Sequence, residues 1–377
     1  MIKGVKFRLK PTKEQELLMW KSVGVARFAY NWGLAKQEEN FRSGGKFISC
    51  RKLRNELVAL KNSEEFSWLK EVSGKVINQA FEDLDKAYKK FFLKKADRPK
   101  FKSKRKSKPS FYARYDSMKF DGDTVRIERL GKIKFHFDKE IPQLDKYHNP
   151  RISFDGMYWY LSFTFEHEQP TVELTGESIG IDVGVKDLAI VSNMDEPIKN
   201  INKSKRVRKI ERKLKRLQRQ ASRKYEMNME GKRFKKTANI VKLQREIKKV
   251  YRRLRNIRRN HTHQATASIV KTKPSRVVME HLNIQGMMKN KYLARVISEQ
   301  HLCEFKKQMK YKCEFYGIEF VEADRFFPSS KMCSCCGNIK RDLKLRDRRY
   351  VCESCGLIED RDKNAAINLA NYQLVTT

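Results

Sequence analysis

The chain has 377 residues, with 84 Lys and Arg against 45 Asp and Glu, and a formal net charge of +39. At 40% hydrophobic and 11% aromatic residues it can bury the cores of two or three domains, so it is not a disordered polyelectrolyte. No run of 18 apolar residues spans a bilayer, and the first residues lack an apolar segment and cleavage site, so we expect an intracellular, cytoplasmic protein with reduced thiols.

So large an excess of positive charge repels itself unless it meets a polyanion. Nucleic acid is the partner this implies, through phosphate neutralisation and counterion release. A membrane surface fits less well, because no helix shows a broad lipid-facing apolar side.

Residues 1–10 alternate apolar (Ile2, Val5, Phe7, Leu9) with basic positions and predict a strand. Thr12 and Gln15 fit a capping box, which opens a mostly helical region reaching about residue 93. Its clearest helix is 75–93, with Ile77, Ala80, Phe81, Leu84, Tyr88 and Phe91 on one face. Lys75, Asn78, Gln79, Lys86 and Lys90 lie opposite. Residues 94–108 hold nine basic residues and one acid, flanked by Phe101, Phe111, Tyr112 and Tyr115. That mixture suits nucleic-acid contact, with Lys102, Lys104 and Arg105 as candidates. Segments 124–128, 131–137, 151–154 and 158–166 then read as strands, which suggests a small β-barrel that the N-terminal strand completes.

Composition changes again near residues 171–178. Residues 178–192 read as strand, glycine turn and strand. Residues 203–259 carry 25 Lys and Arg against four Glu. Val207, Ile210, Leu214, Leu217 and Ala221 form one 3-4 seam, and Ile240, Leu243, Ile247, Val250, Leu254 and Ile257 form another. The loop 222–239, with Gly231, reverses the chain, so an antiparallel helical hairpin with basic outer faces is predicted. Arg212, Arg216, Arg252 and Arg255 are its candidate phosphate contacts. A strand at 276–280, a helix near 296–316, a strand at 318–321 and a last helix from about 362 to 372 complete the series.

Five of eight cysteines cluster. Cys333-x2-Cys336 and Cys352-x2-Cys355 have the spacing of a four-cysteine zinc ribbon, and Gly337 and Gly356 permit the tight turn of each knuckle. Four ligands and no open position make the zinc structural. Cys335 reads as a bystander, and Cys50, Cys303 and Cys313 as buried core thiols.

Three acids stand where strands end or a helix begins: Asp182 in GIDVG, Glu280 after the apolar run RVVM, and Asp362 in DRDKNAA. Each alone is an ordinary acid: loop-facing, paired with a base, or an N-cap. Together they can hold two Mg²⁺ ions, or Mn²⁺, about 4 Å apart, the clamp that in-line phosphodiester displacement needs.

These segments resemble the transposon-encoded TnpB family, relatives of type V CRISPR nucleases. GIDVGVKDLAIVS looks like the first RuvC motif, VVMEHLNIQGM the second and DRDKNAAINLA the third, placing Asp182, Glu280 and Asp362 as catalytic acids. PSSKMCSCCG with YVCESCGLIEDRD resembles the family's ribbon, and ARFAYNWGLA and INQAFEDLDKAYKKFF also look like the family. The resemblance implies an α/β multidomain protein. An RNase H-like (RuvC) nuclease domain would cover 173–330 and 358–377, with the basic helical hairpin (203–259) and the zinc ribbon (331–357) inserted. A wedge-type β-barrel (1–10 and 100–172) and a helical recognition region (11–99) would precede it. It also implies a guide RNA from the transposon end, one protein per RNA, and cutting of double-stranded DNA beside a short motif. Lys75, Asn78 and Gln79 are candidates for reading that motif, because amide side chains address adenine edges. The alternatives are a nuclease-independent RNA-guided DNA-binding regulator, and an RNA-independent transposase or resolvase.

Overall fold

The computed structural model describes residues 2–137, 141, 147–231, 233–344 and 346–373. It divides into two compact units, Met1–His167 and Glu168–Thr377. Among the described residues no helix is long and apolar enough to cross a membrane.

The first unit runs β1 (Ile2–Lys10), α1 (Lys13–Arg42), α2 (Cys50–Leu60), α3 (Gly74–Phe92), β2 (Ser110–Tyr112), β3 (Lys119–Asp121), β4 (Thr124–Ile127), β5 (Gly131–His136), β6 (His148–Phe154) and β7 (Trp159–Glu166). Its strands form one antiparallel sheet in the order β2-β6-β7-β1-β5-β4-β3. Period-two patterning explains the buried face: Phe7 and Leu9 of β1, and Trp159, Leu161, Phe163 and Phe165 of β7, all point inward. Thr12 and Gln15 make the reciprocal capping box, and the Gln15 amide also donates to the Leu130 and Lys132 carbonyls, tying the start of α1 to the sheet. Helix α3 buries Val76, Ile77, Ala80, Phe81, Leu84 and Tyr88. It closes on α1 at Gly33, where an added Cβ would stand 2.9 Å from the Phe81 ring. Strand β6 starts three residues earlier than its apolar pattern indicates. Asn149 takes a left-handed φ of 49° and shifts the register, a bulge that Asn tolerates.

The second unit begins with β8 (Thr175–Val183), β9 (Asp187–Val191) and β10 (Ile198–Lys199), followed by α4 (Lys205–Glu226), β11 (Met229–Glu230), β12 (Arg233–Phe234) and α5 (Ala238–Lys271). Then come β13 (Pro274–Glu280), α6 (Ile284–Met287), α7 (Lys291–Gln300), α8 (Leu302–Tyr316), β14 (Glu319–Ala323), β15 (Arg349–Val351), β16 (Ile358–Asp360) and α9 (Arg361–Ala370). The central sheet has the order β10-β9-β8-β13-β14. Strands β8, β13 and β14 are mutually parallel, β9 runs against β8, and β10 runs against β9 and so along β8. Parallel neighbours need long crossovers. Helices α4 and α5 supply the one between β8 and β13, and α6–α8 the one between β13 and β14.

The two faces of this sheet receive different helices. Ile179, Ile181, Val277 and Met279 pack with Ala265 and Ile269 of α5 and Phe305 and Met309 of α8. On the other face Val278, Val321 and Ala323 pack with Leu369 of α9. Helices α4 and α5 share a thin seam of Val207, Ile210, Leu214, Val250 and Leu254, and their chain reversal is the small β11–β12 hairpin. Helix α5 continues well past the seam into the core. The helix expected over 296–316 is two helices, broken at His301 with a left-handed φ of 59°. The Gln300 side chain there turns inward to the Gly184 and Asp187 carbonyls instead of following the helical surface pattern.

Candidate functional site

Glycine at position 180 fixes the geometry of the acids. Alternate residues of a strand share a face, so Gly180 and Asp182 point the same way. In the β8–β13 register Val278 stands opposite Gly180 and Met279 opposite Ile181, so one step further Glu280 neighbours Asp182 on that face. Helix α9 lands on the same face: a Cβ on Gly180 would lie 1.9 Å from the Ala366 carbonyl oxygen and 2.3 Å from the Ala370 nitrogen. Ser178 Oγ donates to the Ala370 carbonyl at 2.7 Å. Lys363 Nζ reaches the Ser192 and Met194 carbonyls beyond β9 at 2.9 and 2.8 Å. Helix α9 is thereby held by backbone contact on one strand and a lysine anchor on the next. Asp182, Glu280 and Asp362 meet toward the carboxyl ends of the parallel strands, where open α/β sheets carry their sites.

Asp182 feels the other two acids. Asp182, half-buried, has its carboxyl pushed up to about 8, first by burial and then by the charges of Asp362 and Glu280, with Arg361 opposing. Burial also raises Glu280. Asp362 is not the N-cap: Asp360 is, accepting from the Asp362 and Lys363 backbone N–H groups at 2.9 and 3.2 Å. That leaves the Asp362 carboxylate free of a capping role. Arg361 Nη2 holds it at 2.6 Å and Arg348 Nη1 at 3.3 Å. The three carboxylates are charge neighbours and not a closed ligand set; among the described residues only the four cysteines are gathered that tightly. An all-oxygen donor set with mutual repulsion fits a hard cation such as Mg²⁺.

The ribbon is closed. Cys333, Cys336, Cys352 and Cys355 bring their sulfurs within 4.8 Å of one another, with Cys333 to Cys355 at 3.6 Å and Cys336 to Cys352 at 3.5 Å. A tetrahedron of 2.3 Å Zn–S bonds has edges of about 3.8 Å, so the set fits zinc. Gly337 and Gly356, at φ of 75° and 74°, return their N–H groups to the Cys333 and Cys352 carbonyls. The Cys355 and Ser354 N–H groups face the Cys352 sulfur and hold its thiol low. Cys335 is exposed and outside the cluster. Of the remaining thiols only Cys313 is buried. Cys50 is half-buried, and Cys303 is exposed because it falls on the outer side of the first turn of α8, a correction to the core role expected for it.

The candidate nucleic-acid residues fall into separate groups. Gln79, Lys102 and Lys104 line one cleft of about 560 Å³ in the first unit, together with Trp20, Arg27 and Arg151. Gln79 donates to Glu82 and Asp83 of its own helix. Lys102 lies over the Tyr30 ring at 3.6 Å, and burial holds its ammonium below the usual lysine range. Lys75 and Arg105 are exposed, and Asn78 is half-buried. In the second unit Arg212, Arg216 and Arg255 are exposed on the α4–α5 arm, with Arg252 half-buried. Sequence patterns missed Gly180, Arg348, Lys363 and Gln300. Only Gly180 had a usable signal, a glycine two residues before an acid inside a strand, which marks a close backbone approach.

Three family models match: residues 1–46 a "Helix-turn-helix domain", 162–291 a "Probable transposase" of the IS605 OrfB type, and 303–369 a "Cas12f1-like, TNB domain". The described residues of that first match hold β1 and the single uninterrupted helix α1. A Streptomyces pristinaespiralis protein named "Putative RNA-guided DNA endonuclease" is 30% identical over 97% of this chain and 88% of its own length. The Escherichia coli K12 protein of the same name, InsQ, is 29% identical over 98% and 91%. A Cas12f1 chain solved with single-guide RNA and target DNA shares the fold at a TM-score of 0.53 and 14% identity, covering 98% of this chain and 99% of its own. The chain belongs to the TnpB family of transposon-encoded RNA-guided DNA endonucleases.

Proposed function

We propose that this protein cuts double-stranded DNA at sites chosen by a guide RNA from its transposon end, with Asp182, Glu280 and Asp362 as a RuvC-type catalytic set. One observation carries the reading: three acids from β8, β13 and the head of α9 converge on one sheet face, closely enough that two of them raise the third. Carboxylates so placed in a chain of net charge +39 are costly unless they serve cations and a phosphodiester. Two Mg²⁺ or Mn²⁺ ions bound there would neutralise the attacking and leaving oxygens of an in-line displacement. The protein's own contribution is to hold Asp182 and Glu280 on neighbouring strands, to fix Asp362 through α9, and to keep Arg348 and Arg361 beside it. The ribbon would hold one structural zinc.

The central sheet, in which only β9 runs against the other four strands, supports the RNase H-like nuclease domain, and the α4–α5 arm the basic hairpin insert. The seven-stranded sheet with β1 at its centre is our candidate for the wedge-type barrel, and α1–α3 for the recognition region. Arg212, Arg216, Arg252 and Arg255 are assigned to RNA or heteroduplex phosphates, as are Lys102, Lys104 and Arg105. Lys75, Asn78 and Gln79 are assigned to the DNA motif.

The test is purification from cells carrying the flanking DNA, then cleavage of a plasmid matching the variable end of the bound RNA. Cutting that needs the RNA, Mg²⁺ and Asp182 upholds the proposal. Guide-independent cutting moves the protein to the transposase class, and RNA-directed binding without cutting moves it to the regulators.

A further inference from the structure

Helix α9 has two working faces. Ala366 and Ala370 press on Gly180 of β8. Asn364 and Asn368 lie two residues back from each of these, about 200° round the helix. Both are buried, at 0% and 2% exposure, although asparagine is mostly a surface residue. Their amides bond to the ribbon and to the segment that leads into it. Asn364 accepts from the Ser334 N–H at 2.9 Å and donates to the Met332 carbonyl at 2.7 Å. Those two residues flank Cys333. Asn368 donates to the same Met332 carbonyl at 2.6 Å and to the Ser329 carbonyl at 2.7 Å.

The other half of the ribbon is joined to α9 directly. Strand β16 ends at Asp360, and Asp360 caps the helix. The Arg361 N–H donates to the Arg348 carbonyl at 2.9 Å, next to β15, and the Arg348 side chain reaches Asp362. Both knuckles are therefore referenced to the helix that carries Asp362, one through the chain and the other through two asparagine side chains.

We propose that Asn364 and Asn368 are positioning residues that make the four-cysteine ribbon part of the nuclease site. By locking the first knuckle to α9 they let the closed ribbon decide where Asp362 stands. A ribbon that served only its own fold would need no buried amides on a helix outside it, since each amide left unpaired in such a site is costly. This deepens the endonuclease reading and rests on it for the role of Asp362; the clamp itself does not.

The test uses the RNA-loaded full-length protein, wild type and Asn364→Ala, with Asn368→Ser as the milder variant should the first fail to fold. Three quantities are read: zinc withdrawal by a chelator, guide-directed DNA binding, and cutting rate against Mn²⁺ concentration. We expect zinc to leave about tenfold faster from Asn364→Ala, the loss of one to two buried hydrogen bonds. DNA binding should stay within about twofold, while cutting falls about tenfold or more and half-saturating Mn²⁺ rises. Asn364→Ala added to Cys352→Ser should cost nothing further in cutting, because both act through one connection. Unchanged zinc withdrawal overturns the clamp. Faster withdrawal with unchanged cutting, or losses that multiply in the double variant, overturns its link to Asp362. If the wild type does not cut at all, the endonuclease reading fails while the zinc measurement still decides the clamp.

Discussion

The two side-chain clusters of the second unit are built in opposite ways. The cysteines come from a short stretch, residues 333–355, and are brought together by two tight turns, each closed by its own glycine N–H. The acids come from positions 182, 280 and 362, and meet only because a parallel strand register and one glycine contact put them on one face. The first cluster would gain stability from a bound zinc, since coupling metal to folding is how small ribbons close. The second costs stability, since it buries like charges beside one another. A metal-ligand cluster can be assembled from one local stretch, whereas these acids are held together only by distant parts of the chain.

Substitutions can break that contrast. Asp182→Ala has the largest expected effect: on the order of 10³-fold or more loss of cutting, with RNA-directed DNA binding kept, measured by plasmid cleavage beside a binding assay. Gly180→Ala leaves every acid in place but drives backbone off backbone. We expect roughly 10²-fold slower cutting and about 2 kcal/mol lower stability, with zinc content unchanged. Loss of zinc from that variant would show that the two clusters are not separable there. Cys352→Ser should instead empty the ribbon of zinc and open residues 331–357 to protease while the central sheet melts nearly as before, its loss of cutting coming through Asp362 and not through the sheet.

A smaller effect tests the cost of the acids. The folded pKa of Asp182 lies near 8 against 3.8 unfolded, so the folded state binds the extra proton between about pH 4 and pH 8. Stability present at low pH is lost as pH rises through that window. In EDTA, Asp182→Asn should therefore melt higher than wild type, by about 3 °C, and the gain should be larger at pH 8 than at pH 5. A gain independent of pH would remove Asp182 as its source. Smallest of all, Arg216→Ala on α4 should weaken RNA binding a few-fold and lower the salt slope by about 0.7 to 0.9.

What could be read in the sequence followed local rules. The capping box at Thr12, the apolar stripe of α3, the alternation in β7 and the cysteine spacing each declare themselves within a few residues. The acids could be picked out because each ends a strand or starts a helix, but their shared face needed the β8–β13 register. The cap could not be read for the same reason: Asp360 and Asp362, two residues apart, both fit a helix start, and only the backbone geometry separates them. The break at His301 was hidden because apolar periodicity runs through it, and the cause is a distant one, Gln300 turning to carbonyls near β8 and β9. Cys303 was assigned to the core from residue type alone, which ignores which side of α8 it occupies.

Helix α5 joins the outermost basic surface to the sheet without interruption. Its first half carries the seam with α4, and its second half packs Ala265 and Ile269 under β8 and β13. Near the crossing, Arg258 pairs with Glu211 at 2.8 Å and with Asn202 at 2.7 Å. At 34 residues the helix is about 51 Å long. Its two ends therefore share a rotational phase. One residue inserted near position 260 would swing the arm about 100° around the axis, whereas seven would return it to within about 20°. Arm length in this protein can change by whole pairs of turns, and a single-residue insertion would aim its arginines away from whatever they serve.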